Sequence, residues 1–341
     1  MNRKLLALAV GTALSLPLAA QAAPTIYGQL NMSVDKASTT NASGAVSGNP
    51  AGDESWQVNS NSSRLGVMGE EALGSGLSAV YKAEWEVSGD MGAGNNDLGA
   101  RDRYLGLKGS YGTVKLGHYD SPLKSSQGMV DQFNDGRYTD MTGFGAVVGD
   151  NRMSNLIGYE SPKFADALTA KIAIQPGESA ATGDNELANA FSLAVAYEAA
   201  GLYAALAYDK NVNSDAFDPA DNRDTLRLTG TYTAGAMQLG AMLQTSEMSD
   251  EAVGGQDDQD AVLFSAGFGL DDKNVAKAQF IYTKEDFGAG GDAKRMTLEL
   301  GLDHNFTKMT KVYAQTAYAQ TDADSGDFDD AMFGVGMLTK F

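Results

Sequence analysis

Apolar and polar residues alternate one by one along most of this chain. In "FSLAVAYEAAGLYAALAYDK", Phe191, Leu193, Val195 and Tyr197 fall on one face, and Ser192, Ala194, Ala196 and Glu198 on the other. Ala199-Ala200-Gly201 turns the chain, and Leu202, Leu206 and Tyr208 carry the apolar face onward. In "DTLRLTGTYTAGAMQLGAMLQT", Leu226, Leu228 and Tyr232 alternate with Thr225, Arg227, Thr229 and Thr231; "AGA" turns the chain, and Leu239 and Leu243 follow. In "RMTLELGLDHNF", Met296, Leu298, Leu300, Leu302 and Phe306 oppose Arg295, Thr297, Glu299, Asp303 and Asn305. Period two is the mark of a strand with two unlike faces, and long helical patterns are missing.

The runs predict sixteen strands, near 25–37, 55–72, 77–88, 101–110, 112–120, 151–162, 168–176, 189–199, 202–211, 223–234, 237–248, 260–270, 275–286, 293–306, 311–322 and 330–341. Their connections differ in length. Tight turns fall at 73–77, 109–112, 199–201, 234–236, 270–274 and 306–310, and longer polar links at 38–54, 89–100, 120–151, 177–188, 212–222, 249–259 and 323–329. A soluble sandwich alternates too, with its apolar face as the core. Short turns at one end and long loops at the other instead mark an up-and-down barrel in an outer membrane. Tyr197, Tyr208, Tyr232 and Phe306 sit near the ends of apolar faces, where aromatic girdles belong. The fold class predicted is all-β: a transmembrane antiparallel up-and-down β-barrel of about sixteen strands. A barrel of that size is wide enough for an aqueous channel. Lys82, Arg227, Lys277 and Arg295 on polar faces agree with a wet interior.

The start of the chain sets the compartment. "MNRKLLALAVGTALSLPLAAQA" has a basic start, an apolar centre and a small-residue cleavage site at Ala20-Gln21-Ala22, the pattern of a secretory signal peptide. Residues 1–22 are therefore expected to be cleaved, leaving 23–341 as a single barrel domain. The formal charge is −19, and −21 once Arg3 and Lys4 leave with the signal. That balance excludes the basic footprint of a nucleic-acid binder. There is no cysteine, so disulfides do not contribute to stability. No later stretch approaches the ~18–20 apolar residues of a transmembrane helix.

The last strand places Phe333, Val335, Met337, Thr339 and Phe341 on one face. An open edge cannot survive in lipid, so this strand is expected to pair with the first, "TIYGQLNMSVD", and Phe341 to end the chain as part of the closure.

Several stretches resemble one family. They are "PTIYGQLNMSVD" (24–35), "NSSRLGVMGEEALGSGLSAVYKAEWEV" (61–87), "RDRYLGLKGSYGTVKLGHYDSPL" (101–123), "DNRMSNLIGYESP" (150–162) and the terminal phenylalanine. Together they are similar to the trimeric general porins of Gram-negative outer membranes, especially the Neisseria-type group. Between 177 and 290 the likeness is one of pattern alone. The resemblance implies sixteen strands and a homotrimer whose shared wall comes from the first five strands and the last, with the loop at 89–100 latching onto a neighbour. It also implies a long third loop folded into the barrel as a constriction. Acidic residues on that loop would face arginines on the wall, and Phe341 would be read by the barrel assembly machinery.

That third loop is "SPLKSSQGMVDQFNDGRYTDMTGFGAVVGD", 121–150, the longest connection. A long link without secondary structure is usually functional or disordered. Phe133, Tyr138 and Phe144 favour order, and Asp131, Asp135 and Asp140 are the acidic candidates, with solvated loop charges as the alternative. The family's Pro-Glu-Phe-type turn does not align onto 131–145. The wall arginines carry over to Arg64 in "SSRLG", Arg101 in "RDRYLGL" and Arg152 in "DNRMSN". Period-two spacing from Arg101 adds Arg103 and, across the turn, Lys115 to the same inward face. Fixed charges of opposite sign across a narrow wet gap set a transverse field and bias ion selectivity. Because the loop acids are fewer than these cations, the constriction is expected to be slightly positive, with a weak lean to anions that fades with salt.

The function expected is passive diffusion of small hydrophilic solutes and ions through an outer-membrane channel of a Gram-negative cell. A substrate-specific sugar or anion channel would need a ladder of lumen aromatics, and only Tyr203 and Tyr313 qualify. An outer-membrane hydrolase would need an exposed Ser/His pair; His304 lies on a nominal lipid face near a strand end, and no nucleophile motif is present. A secreted, soluble β-rich adhesin is the remaining rival. No enzyme activity, cofactor or metal site is expected. The expected partners are further copies of the chain, membrane lipid and lipopolysaccharide. Divalent cations held by acids in "AGNNDLGARD" or "GGQDDQDA" could bridge to lipopolysaccharide phosphates.

Overall fold

Among the described residues, seventeen strand segments are joined in chain order by antiparallel pairing, and one short helix lies between the sixth and seventh. The computed structural model describes residues 23–39, 54–90, 98–178, 186–215, 218–249, 258–288, 291–324 and 326–341. The strands are β1 Thr25–Thr39, β2 Ser55–Ser60, β3 Arg64–Gly74, β4 Leu77–Val87, β5 Leu98–Gly109, β6 Gly112–Asp120, β7 Arg152–Glu160, β8 Leu168–Gln175 and β9 Ala190–Ala199. They continue as β10 Leu202–Asp215, β11 Asp218–Ala234, β12 Met237–Met248, β13 Asp258–Gly269, β14 Asn274–Asp286, β15 Asp292–Asn305, β16 Thr310–Ala323 and β17 Phe328–Lys340. The helix, α1, is Pro122–Ser125.

β2 and β3 are two parts of one stave. Both pair with β1, β2 through Met32↔Ser60 to Ala37↔Ser55 and β3 through Thr25↔Met68 to Gln29↔Arg64. The barrel therefore has sixteen staves. Where the stave breaks, Ser62 takes φ +50 and Asn61 is buried on the inside. The predicted run 55–72 does not show this break. β17 closes the barrel on β1, from Gln29↔Lys340 to Thr39↔Asp330. Closure leaves no edge to be satisfied in lipid.

The faces are inverted relative to a soluble protein. Along β1, Gln29, Asn31, Ser33 and Asp35 are buried inside, while Leu30 and Val34 are exposed outside. Along β15, Thr297 and Glu299 are buried and Met296, Leu298, Leu300 and Leu302 are exposed. The outer wall is thus apolar, as lipid requires.

Two sequence expectations need correction here. The link placed at 212–222 is largely strand, because β10 runs on to Asp215 and β11 starts at Asp218. Register shifts at Asp209/Val212 and Asn213/Asp215 break the alternation there and hide the strands from a period-two reading. The interior is also not wet throughout. Arg227 is buried and donates to the carbonyls of Leu123 and Val148. Lys277 donates to the Gln132 carbonyl, and Arg295 to that of Phe144. All four acceptors belong to the 121–150 loop, which fills that side of the barrel. The signal segment 1–22, most of the 38–54 link and the centre of the 89–100 loop lie outside the described residues.

Candidate functional site

The site begins with how the loop between β6 and β7 is held. Ser121 caps α1, its hydroxyl accepting from Lys124 N at 3.0 Å, with Pro122 at the first helical position. Both choices suit a helix start. The base of the loop is clasped by Lys124, whose Nζ reaches Asp150 Oδ2 at 2.6 Å, and by the Ser121 N–H donating to the Asn151 carbonyl at 3.0 Å.

From there the loop leans on one side of the barrel. The Leu123 N–H donates to Ser192 Oγ on β9, and Tyr203 on β10 donates to the Ser126 carbonyl. Gln244 on β12 donates to the Val148 carbonyl, Ser265 on β13 to that of Val130, and Thr297 on β15 to that of Phe144. Apolar contacts follow the same path. Val130, Met141 and Val147 pack with Met242, Leu263 and Ile281; Tyr138 and Phe144 pack with Ala37, Ala317, Ala319 and Met332. Glycine on the wall makes room: a Cβ on Gly301 would lie 2.7 Å from the Phe133 ring. The loop tip reaches the broken stave, where the Arg137 N–H donates to Asn61 Oδ1 at 3.1 Å and Tyr138 donates to Gln57 Oε1 at 2.7 Å.

The space left over is a cavity of about 920 Å³ between the loop and the wall formed by β3 to β7. Its cations are Arg64, Arg101, Lys124, Arg137 and Arg152. Its carboxylates are Glu86, Asp120, Asp135, Asp140 and Asp150. Five charges of each sign line one cavity.

Arg64, at the start of β3, donates to both oxygens of Asp135 at 3.1 and 3.0 Å, joining wall to loop. Asp135 has φ +74, a left-handed conformation that Asp tolerates better than most residues. Asp140 lines the cavity and braces the loop, accepting from the Asp135 N–H at 3.2 Å and the Thr142 hydroxyl at 2.7 Å. Arg101 donates to Glu84 Oε1 at 2.6 Å. Arg152 donates to Asp102 Oδ1 at 2.8 Å and approaches Asp120 at 2.7 Å. These five sequence candidates line this one cavity.

The other three pore candidates do not. Arg103 is exposed on the outer face with Leu105 and Leu107, directly opposite His118. The cause is a bulge: Ala83 pairs with Arg103 and Trp85 with Ala100, so Arg101 and Asp102 together oppose Glu84. The extra residue turns both side chains inward and flips everything after them. Lys115 does face inward, but below the cavity. Its ammonium lies over the rings of Tyr119 and Tyr104, at 4.5 and 5.1 Å from their centroids, and 3.9 Å from Glu160.

Asp131 is buried beneath the loop rather than facing the passage. It accepts from the N–H groups of Phe133 and Met141 at 2.8 and 2.9 Å and from Gln279 Nε2 at 3.1 Å. Burial, with the nearby Asp140 charge, pushes its carboxyl up to about 7. It anchors the loop.

The sequence reading missed the carboxylates on the wall itself. Glu84 could have been found, since Lys82, Glu84 and Glu86 share one period-two face. Asp102 could not, because only the bulge turns it inward. Tyr203 and Tyr313 spend their hydroxyls on the Ser126 carbonyl and Asn31 Oδ1 and form no ladder. Phe341 joins the barrel seam, its N–H donating to the Gly28 carbonyl at 3.1 Å.

The comparisons agree with this geometry. A family model described as Gram-negative porin matches residues 6–324. The major outer membrane protein P.IB of Neisseria lactamica is 24% identical over 352 residues, covering 100% of both chains. An anion-selective porin from Comamonas acidovorans has a similar structure, with a TM-score of 0.74 at 23% identity, covering 94% of this chain and 99% of the other. OmpT of Vibrio cholerae in its trimer form gives a TM-score of 0.68 at 18% identity, covering 93% and 99%.

Proposed function

We propose, for a chain that belongs to the Gram-negative porin family and forms a water-filled diffusion channel in the outer membrane, that the permeation path is the cavity between the 121–150 loop and the β3–β7 wall. One observation carries this reading. The loop is bonded to the staves on one side, and the open volume beside it has arginines on the wall and aspartates on the loop. The loop is then the constriction, and Arg64, Arg101 and Arg152 face Asp135 and Asp140 across it.

Opposed fixed charges order water and orient dipolar solutes in the gap. With five cations and five carboxylates on its lining, the passage is close to electroneutral. Ion preference is therefore weak, and the chain has no catalytic role. The rest of the reading follows the family. Residues 1–22 direct export and are removed, and the barrel assembly machinery reads Phe341. Three copies associate through the outer faces of β1 to β6 and β17. The outer rim meets lipopolysaccharide, with divalent cations between acid and phosphate.

A thiol test addresses the path directly, because the chain has no cysteine of its own. Thr142→Cys places a thiol on the cavity lining, and Leu105→Cys places one on the outer wall. In planar bilayers, a bulky charged thiol reagent is expected to cut conductance of the first variant and leave the second unchanged. Equal conductance before and after labelling of the Thr142→Cys channel would remove the cavity as the path.

A further inference from the structure

The wall arginines are not free charges. Behind them lies a connected group that does not line the cavity. Arg101 Nε donates to Glu84 Oε1 at 2.6 Å, and Arg152 Nε donates to Asp102 Oδ1 at 2.8 Å. Lys82 Nζ bridges the two acids, 2.9 Å from Asp102 Oδ2 and 3.4 Å from Glu84 Oε2. Tyr27 closes the far end, its hydroxyl donating to Glu84 Oε2 at 2.7 Å. The chain of contacts runs across β1, β4, β5 and β7.

The backbone is shaped for it. Tyr27, Gly66 and Glu84 occupy one row, paired Tyr27↔Gly66 and Gly66↔Glu84. A Cβ on Gly66 would sit 2.5 Å from the Tyr27 ring, so only glycine lets the ring cross to Glu84. The bulge in β5 delivers Arg101 and Asp102 to the same side together. Glu84 is 5% exposed and Asp102 15%, so neither is a mobile rim charge.

We infer that Glu84 and Asp102 determine the ion preference of the channel, as counter-charges that hold the guanidinium groups in place and cancel their field. The inference rests on the reading of the adjoining cavity as the ion path. On this wall Arg64, Lys82, Arg101 and Arg152 carry four positive charges, and Glu84, Glu86, Asp102 and Asp120 carry four negative ones. The arginine side of the passage is thereby neutral when viewed from the lumen. A charge a few ångströms behind the lining still acts on a permeating ion, because it lies well within the ~8–10 Å screening length. Removing one rear carboxylate leaves the arginines unbalanced without changing the lining. Both acids are therefore positioning residues for the arginines and specificity residues for the channel.

The test uses the full-length, folded protein in planar bilayers under a KCl gradient. Asp102→Asn and Glu84→Gln are near-isosteric and neutral. Each is expected to move the reversal potential toward anions, raising the chloride-to-potassium permeability ratio by about twofold or more. Lys82→Gln removes the cation shared by both acids and is expected to move the potential toward cations. Opposite signs from neighbours in one network are what a charge role requires; a merely structural role moves both alike. Asp102→Glu is expected to restore the wild-type potential. If Asp102→Asn does not assemble, Glu84→Gln and Lys82→Gln carry the same sign test. Folded, conducting variants with the wild-type potential, or with shifts of one sign, overturn the inference. Absence of conductance in the wild type would instead refute the channel reading beneath it.

Discussion

Gly28 and Phe341 exchange both of their backbone hydrogen bonds, Gly28 N to Phe341 O at 3.0 Å and Phe341 N to Gly28 O at 3.1 Å. The phenylalanine ring covers the glycine so closely that a Cβ there would lie 2.5 Å from it, and 2.6 Å from the Arg64 carbonyl. This pair fastens the seam between first and last strands. Gly28→Ala is expected to destabilise the barrel by about 1–3 kcal/mol, the usual range for overpacking. Phe341→Ala removes the ring while keeping the backbone bonds, and deletion of Phe341 removes both. The expected order of folded, heat-modifiable protein in outer membranes is wild type, then Phe341→Ala, then the deletion. Wild-type yields from the deletion would show that the seam does not depend on this pair.

Reversing a wall charge tests the passage from its front. Arg64→Glu breaks the bond to Asp135 and puts two like charges across the gap. Arg152→Glu does the same beside Asp102 and Asp120. Each is expected to raise potassium-over-chloride preference roughly threefold. Neutralising Asp258 and Asp260, exposed on the outer face of β13, is expected to have a smaller effect. Reversal potentials in graded salt compare the two; a larger shift from the β13 pair would misplace the selective region.

Through Asp131 and its neighbour Asp140, the seating of the loop is expected to depend on pH. Its carboxyl lies above its ordinary value of 3.8, at about 7, because burial and the Asp140 charge favour the protonated form. The groups around it are Asp140, Gln279 and, sharing Gln279, Glu299, with Lys277 above them. A raised value means the contribution is complete below about pH 4 and is lost as pH rises through 7. Protection of loop amides from hydrogen exchange is expected to fall over that interval. Asp131→Asn is expected to flatten the profile; an unchanged slope in that variant would assign the titration elsewhere.

Gly301 supports the loop by leaving space. Gly301→Val would drive a side chain into the Phe133 ring, 2.7 Å from where its Cβ would stand. Loosening of the loop is expected to raise single-channel conductance and admit larger sugars in liposome-swelling assays. A variant that folds with wild-type conductance and cutoff would mean the loop tolerates losing this contact.

Much of the fold could be read from period two, because lipid outside and water or polar loop inside force unlike faces on nearly every strand. The reading failed where the period itself fails. One bulge at Arg101 and Asp102 sent Arg103 to the outer wall and concealed Asp102. Shifts after Asp209 concealed the ends of β10 and β11. Burial is a second blind spot. Asp131 and Asp135 look equivalent in the loop sequence, yet one is enclosed and the other meets Arg64. Nothing local to either residue distinguishes them; the difference lies in Gln279, nearly 150 residues away in sequence.

The loop is tied to β9 through β17 and to the broken stave, and the charged cavity lies against β3 to β7. On the permeation path proposed above, a solute that enters on the barrel axis therefore leaves it. It steps sideways and slides along one flank, between the wall that carries Arg64, Arg101 and Arg152 and the loop that carries Asp135 and Asp140. A dipolar molecule that cannot align with the field across this gap crosses it at an energetic cost. The route thus sorts molecules by how readily they rotate as well as by how wide they are.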